Sequence, residues 1–476
     1  MTDLNSLAAT FPPASAADWR ALVEKTLKDA PFDSLQRQTA EGLPIAPLYE
    51  GADQAPAFAL RPFDADRPWD IRGRVTHPDA AQANTDLMTD LEGGAASALI
   101  RIDPAGETGV AVGSAQDLAR VLDGVMLELA PVALDAGFLG PQAADWLAVA
   151  AKGSPAAKLF FHLDPLSAFA RAGFSPGPIE SHLVSAATVA RRMADSYPDA
   201  GLFLASGLVV HEAGGGEAGE LAFATAAALA YAKALVRAGL PMEDAFGRIV
   251  LCLAADADYF ATLAKLRAAR AVWARVTAAC GVSAALRIEA RSSHRMLAAH
   301  DPWTNMLRLT ASAVGASIGG ADAVVLGSFT DALGLPTAFA RRQSRNTQLV
   351  LMEEAHLGRV ADPGAGSGYV EALTDEIARA AWSGFQAIEA RGGLIAALTD
   401  GHIAAETAKV REARVAAGPL KIVGVTAFPQ ADQAPVEVVR ATPKAVEAPS
   451  PRLPGPDGCC PALKPIRLAE PHEVKA

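Results

Sequence analysis

Short apolar runs rich in Val, Leu, Ile and Ala recur along the chain, and the stretches between them place apolar residues three and four positions apart. The first pattern predicts β-strands and the second predicts helices, so the chain reads as repeated β-α units. The predicted strands are Ser97 to Ile102, Pro131 to Asp135, Lys158 to Leu163, Gly201 to Ser206, Arg248 to Leu253, Ala285 to Glu289, Ala323 to Gly327 and Gln348 to Met352. Between them fall helices such as Ser114 to Leu129, with the serine as N-cap, and Gly219 to Ala238, each long enough to cross back over a parallel sheet. About eight repeats favour closure over an open sheet. The expected fold is therefore α/β, a (β/α)8 TIM-type barrel over residues 61–417. Residues 1–60 are expected to form a helix, Ala16 to Lys28, followed by an extended arm. Residues 418–476, with prolines packed into Pro449 to Pro456, are expected to form an irregular tail.

In such a barrel, chemistry gathers at the carboxyl ends of the strands. The residues there are Asp103, Asp135, His162 with Asp164, His211 with Glu212, Asp256 with Asp258, and Arg291. His211 opens the run His211-Glu212-Ala213-Gly214-Gly215-Gly216, whose glycines could cradle an oxyanion through backbone N–H groups or could simply form a turn. A histidine at a strand end can act as general acid or base, but consecutive strand residues face opposite ways, so His211 and Glu212 are not expected to form a dyad. The segment Phe260 to Val276 sets Lys265, Arg267, Arg270 and Arg275 beside Leu263, Leu266 and Trp273. That predicts an outer helix with a solvated charged face, or alternatively a partner surface.

Composition narrows the function. A net charge of −11, without a Lys/Arg stripe interleaved with aromatics, argues against nucleic-acid binding. The 51% apolar content with only 6% aromatic residues predicts a core of Ala, Val and Leu. There is no basic segment followed by an apolar run near Trp19 and Arg20, nor any later run of about 18 uncharged residues, so a cytoplasmic chain without membrane contact is expected. Cys252 and Cys280 sit in apolar segments and read as core, while the adjacent Cys459 and Cys460 lack zinc-ligand spacing, so no metal is expected.

Several blocks, in order, resemble the methylmalonyl-CoA mutase family over about Glu41 to Phe428. They include Glu41-Gly42-Leu43-Pro44-Ile45-Ala46-Pro47-Leu48-Tyr49, Arg67-Pro68-Trp69-Asp70-Ile71-Arg72, and Ser206-Gly207 through His211-Glu212-Ala213-Gly214. Leu263-Ala264-Lys265-Leu266-Arg267-Ala268-Ala269-Arg270, Asp301-Pro302 with Asn305 and Arg308, and Leu335-Pro336 with Ser344-Arg345-Asn346-Thr347-Gln348-Leu349 follow. Asp362-Pro363 with Gly366-Ser367 and Tyr369, then Ile388-Glu389 with Gly392-Gly393, complete the series. The resemblance implies a CoA-ester isomerase built from a barrel and a flavodoxin-like cobalamin domain, in which an adenosyl radical abstracts substrate hydrogen.

The departures from the family pattern imply which subunit this is. Catalytic chains follow Arg-Pro-Trp with Arg-Gln-Tyr, whose tyrosine packs on the substrate; this chain has Arg72-Gly73-Arg74. Catalytic chains then read Ser-Gly-Tyr-His-Met-Gln-Glu-Ala-Gly, whose histidine hydrogen-bonds the thioester carbonyl; here Val209 holds that place and His211 the glutamine's. His211 and Glu212 are left as candidates for a remnant pocket. The cobalt-ligand motif Asp-x-His-x-x-Gly is approached only by Asp400-Gly401-His402-Ile403-Ala404-Ala405, which lacks the glycine.

The resemblance thus implies a non-catalytic, stabilising small (beta) subunit in a shortened form without the cobalamin domain. Its expected partner is the large (alpha) catalytic subunit, which carries adenosylcobalamin and takes the CoA thioester. No residue of this chain is then expected to be catalytic or to bind a cofactor. Two alternatives are a catalytic barrel of a split acyl-CoA mutase with a separate cobalamin-binding subunit, which predicts the tyrosine and histidine that are absent here, and a standalone barrel protein reusing the pocket.

Overall fold

The computed structural model describes residues 14–51, 64, 66–429 and 433–473. Of the arm expected over residues 1–60, residues 1–13 and 52–60 lie outside the described residues, as does Ala431 of the tail.

Eight parallel strands close into a barrel: β1 (Asp70–Val75), β2 (Ser97–Arg101), β3 (Val132–Asp135), β4 (Leu159–Leu163), β5 (Gly201–Ser206), β6 (Ile249–Ala255), β7 (Arg287–Ser292) and β8 (Ala323–Val325). Each strand pairs with its sequence neighbour, and β8 closes on β1 through Ala323 opposite Asp70 and Val324 opposite Ile71. Seven of the expected strands are present within a few residues, but Gln348 to Met352 is not a strand. Its residues finish the Ala338–Leu349 helix and enter a π-turn, Val350–Glu354. The eighth strand is instead β1, whose alternating Asp70, Arg72 and Arg74 interrupt the apolar run that would have marked it.

The helices begin where short polar side chains offer acceptors to the first free N–H groups. Asp79 caps Ala80–Glu92, Ser114 caps Ala115–Val121, and Asp258 caps Tyr259–Ala279. The Ala115–Val121 helix stops short of the expected Leu129, because the chain turns through Gly124 at φ +77°. The Glu217–Arg237 helix is long and apolar enough to cross a membrane, but here it packs most of its length into the protein, with Leu221, Phe223 and Tyr231 fully buried.

The expected solvated face on the Tyr259–Ala279 helix is mostly absent. Lys265 and Arg267 are fully buried and Arg270 is 8% exposed. Lys265 meets Glu220, Arg267 binds Asp362 and Glu371, and Arg270 donates to Leu286 O, Gly320 O and Asp322. These cations fasten the barrel wall to its outer layer; only Arg275 is exposed, stacked 4.2 Å over the Trp382 ring.

Inside the barrel the axis is filled. Phe160 packs against Leu99, Ala133 and Val325 on one side and Leu204, Val250 and Cys252 on the other. The Arg72 guanidinium lies 4.7 Å over the same ring, donates to Ser97 Oγ at 3.0 Å and pairs with the fully buried Glu289.

Beyond the last long helix, His402–Ala416, the chain runs extended across the outside and the rim. Val446 N bonds Pro104 O, Leu453 N bonds Pro176 O, and Cys460 N bonds Gly173 O. Leu463 N, Ile466 N and Leu468 N then bond Ala170 O, Glu212 O and Arg295 O in turn. The tail therefore laces the loops after β4, β5 and β7, and it buries Leu463 and Ala469 on the barrel.

Candidate functional site

The carboxyl ends of the strands surround a cavity of about 770 Å³ at the barrel mouth, within the range of small-molecule sites. Of the strand-end residues expected to matter, Asp103, Asp135, His162, Asp164, Glu212 and Arg291 line it, and so does Arg74; His211, Asp256, Asp258 and Val209 do not.

β5 ends at Ser206 as expected, and His211 lies outside the cavity because the chain then turns into a short helix, Leu208–Glu212, so that His211 does not stand at the strand end itself. His211 is fully buried behind the mouth, with Nδ1 3.4 Å from Glu220 Oε2 and Nε2 3.0 Å from Asp256 Oδ2 and 2.9 Å from Ser293 Oγ. Arg295 closes the chain of charges on Asp256 at 3.0 Å and also donates to His211 O and Gly215 O. Burial alone would raise the Glu220 carboxyl, but the Lys265 charge and His211 hold it down at about 2. The arrangement suits a structural clamp, since each charge faces an opposite one and none of these side chains lines the cavities at the mouth or beside the His402–Ala416 helix.

The glycine run after His211 is likewise occupied from within. Ala218 N and Gly219 N, at the start of the Glu217–Arg237 helix, both donate at 2.9 Å to the carboxylate of Glu41 from the N-terminal arm. A Cβ on Gly216 would fall 2.1 Å from Glu41 Cδ, so the glycine is needed for this approach. The oxyanion that these N–H groups cradle is the protein's own.

Arg74, half-buried on β1, reaches across the mouth to Asp331 at 2.5 Å. Val209 is 1% exposed and packs in the outer core. Glu212 accepts from His294 N at 2.9 Å, and its other oxygen is buried without a partner. Asp164 caps the Pro165–Ala172 helix and accepts from Tyr231 Oη at 2.5 Å; burial pushes its carboxyl up to about 7.

His162 is different in kind. It stands on β4 beside the register shift between Phe160 and Leu163, with φ +48°, a left-handed conformation that costs a non-glycine residue energy. It is 4% exposed, and neither ring nitrogen has a hydrogen-bond partner. Burial lowers it to about 4, so the ring is neutral near pH 7. Around it, Arg291 bonds Glu289 at 2.7 Å and Asp135 at 3.1 Å, leaving its Nη2 buried and unpaired. Arg101 and Arg171 also face Asp135 electrostatically. Neither the sequence periodicity nor the motifs pointed to Arg101 or Arg171; the available signal for Arg101 was its place two residues after the inward Leu99.

The methylmalonyl-CoA mutase family model matches residues 63–451. The chain is 40% identical over 460 residues to the methylmalonyl-CoA mutase small subunit of Streptomyces virginiae, a match spanning 91% of this chain and 73% of that protein. A probable methylmalonyl-CoA mutase small subunit of Mycobacterium tuberculosis is 41% identical over 431 residues, spanning 85% and 68%. The chain belongs to the methylmalonyl-CoA mutase family. A methylmalonyl-CoA mutase of Cereibacter sphaeroides is more distant, 32% identical over 462 residues and spanning 88% and 65%, so the greater likeness is to the proteins named as small subunits.

The mutase family is generally cobalamin-dependent. The residues of this barrel do not fit the cofactor. The tail crosses the mouth between Leu463 and Leu468, fixed by backbone bonds to three loops, where a corrin ring would need open access. His402, in the nearest approach to the cobalt-ligand motif, opens an outer helix and lines a separate cavity.

Proposed function

We propose that this chain is the non-catalytic, stabilising small subunit of a heterodimeric, adenosylcobalamin-dependent methylmalonyl-CoA mutase, which interconverts methylmalonyl-CoA and succinyl-CoA in propionate metabolism. The observation that carries this reading is Arg74. Where the resemblance puts the substrate-packing tyrosine of catalytic chains, this barrel has a guanidinium committed to Asp331 at 2.5 Å. Val209, in the place of the histidine that donates to the thioester carbonyl, is an alkyl group turned into the core. The filled axis supports the same reading, since Phe160, Arg72 and Glu289 occupy the space a long ligand would need to thread the barrel.

In this proposal the large (alpha) subunit carries the cofactor, binds the CoA thioester and performs the isomerisation. This chain supplies a rigid barrel against which the partner is held, in the cytoplasm and without nucleic-acid or membrane contacts. An obligate pair of this kind buries more than about 2,000 Å². Size-exclusion chromatography of the chain mixed with the large subunit tests it: one-to-one co-elution and slower thermal inactivation of the large subunit are expected. Separate elution with unchanged inactivation would overturn the reading.

A further inference from the structure

We propose that the barrel-mouth cavity is a binding site for a compact polycarboxylate anion, recognised by His162, Arg101 and Arg291. The inference starts from His162, which combines a left-handed backbone, near-complete burial and two ring nitrogens with no partner. Each feature alone costs stability, and buried polar atoms are almost always bonded. A side chain that breaks both rules while lining a cavity is complete only when something in that cavity bonds it.

The surroundings define what that something is. Arg291 Nη2 is buried and unpaired beside the same cavity, and the side chain of Arg101 makes no hydrogen bond or ion pair among the described residues. Asp135 is the carboxylate shared by Arg101, Arg171 and Arg291, and Arg291 already binds it at 3.1 Å. Asp103 is spent on its own turn, accepting from the backbone N–H groups of Ala105, Glu107 and Thr108. Asp164 is bonded to Tyr231. Glu107 and Glu212 line the cavity too, Glu107 exposed and Glu212 held by His294 N, so the guanidinium of Arg101 and one arm of Arg291 stand without a bonded carboxylate beside a neutral imidazole.

Planar guanidinium groups match carboxylates in a two-pronged geometry, and the imidazole adds a single neutral donor to a further oxygen. Below, Leu99, Leu204 and Val325 close the cavity where they pack with Phe160, and Pro465 of the tail lies at its rim. The part of the ligand held here must be compact, because this floor leaves no path along the barrel axis for a long arm.

Isothermal titration of the full chain with citrate, malonate and inorganic pyrophosphate, at constant ionic strength, tests the assignment. The expected result is saturable binding of one carboxylate anion per chain, unaffected by CoA, with pyrophosphate weaker. His162→Phe and Arg101→Gln should each weaken it by at least about tenfold, the loss of one charge-assisted or buried hydrogen bond. Arg101 is half-buried and its side chain bonds no other group, so Arg101→Gln separates loss of binding from loss of fold, checked by an unchanged unfolding midpoint. No saturable binding at millimolar anion, equal binding by both variants, or tightest binding of pyrophosphate would overturn the proposal.

Discussion

His211 and His162 are both buried at the carboxyl end of the barrel, 0% and 4% exposed, yet their surroundings are opposite. His211 faces Glu220, Asp256 and Ser293, and the network continues to Lys265 and Arg295. His162 lines the barrel-mouth cavity beside the Phe160 ring, and neither of its ring nitrogens has a hydrogen-bond partner. A buried polar group ringed by opposite charges holds structure together, whereas one with no bonded partner beside a cavity is placed to meet a ligand. The histidine that sits in the family motif is thus the structural one, and the histidine outside any motif is the one placed to recognise a small molecule.

The contrast predicts unequal responses to mutation. His211→Ala leaves Glu220 and Asp256 without their shared partner, and breaking a buried charge network in this way costs about 3–5 kcal/mol. Urea unfolding of the variant measures this directly; a loss below about 1 kcal/mol would mean the clamp is not holding the loops.

His162 should respond to pH instead. Its folded-state value of about 4 lies below the ordinary 6.5, so between these two values the unfolded chain takes up a proton that the folded chain refuses. The stability it permits is full above pH 6.5 and is lost as pH falls towards 4, by about 3 kcal/mol in total. His162→Gln keeps polarity without the proton, so its unfolding free energy should fall less than the parent's across that window. Asp164, raised to about 7, works in the opposite sense, gaining stability as pH falls, but it is present in both chains and cancels in the difference. Parallel pH curves for parent and variant would contradict the buried, neutral imidazole.

Smaller effects are expected at the edges of the two regions. Gly216→Ala should push Glu41 off the Glu217–Arg237 helix start, costing about 1–3 kcal/mol by overpacking, and hydrogen exchange at Ala218 and Gly219 should rise. Unchanged protection there would show that the arm is not the helix's anion. Arg275→Ala, which removes only an exposed stacking contact on Trp382, should cost about 0.5–1 kcal/mol in thermal unfolding. A larger loss would place Arg275 among the buried fasteners Lys265, Arg267 and Arg270.

Most of the barrel was legible because its strands are apolar on both faces. β2 to β6 carry uninterrupted runs such as Leu202-Phe203-Leu204 and Ile249-Val250-Leu251, which mark strands without any knowledge of their neighbours. β1 escaped notice and β7 was placed two residues early because both point charges inward: Arg72 and Arg74 on one, Glu289 and Arg291 on the other. Those charges are tolerable only because the two strands meet across the barrel, as Arg72 does with Glu289, and that meeting is invisible along a single stretch of chain. Gln348 to Met352 misled for the complementary reason, since four consecutive apolar residues, Leu349 ending a helix and Val350 to Met352 in a π-turn, look like a short buried strand.

The site was legible to a lesser degree. Strand ends pointed to His162, Asp135 and Arg291, and the resemblance pointed to Arg74 and Val209. What could not be read was which of these groups lack partners, because the partners come from other strands. The same holds for Lys265, Arg267 and Arg270, which look like a solvated stripe until the neighbouring helices are laid over them.

Isomerisation of methylmalonyl-CoA to succinyl-CoA, assayed with adenosylcobalamin for this chain alone, for the large subunit alone and for the two together, tests the central proposal most directly. The proposal predicts no turnover by this chain alone and sustained turnover by the mixture, unchanged when Arg74 is replaced by Ala. Turnover by this chain with an isolated cobalamin-binding protein, or loss of the mixture's activity on Arg74→Ala while the complex stays intact, would contradict it and make this barrel a catalytic one.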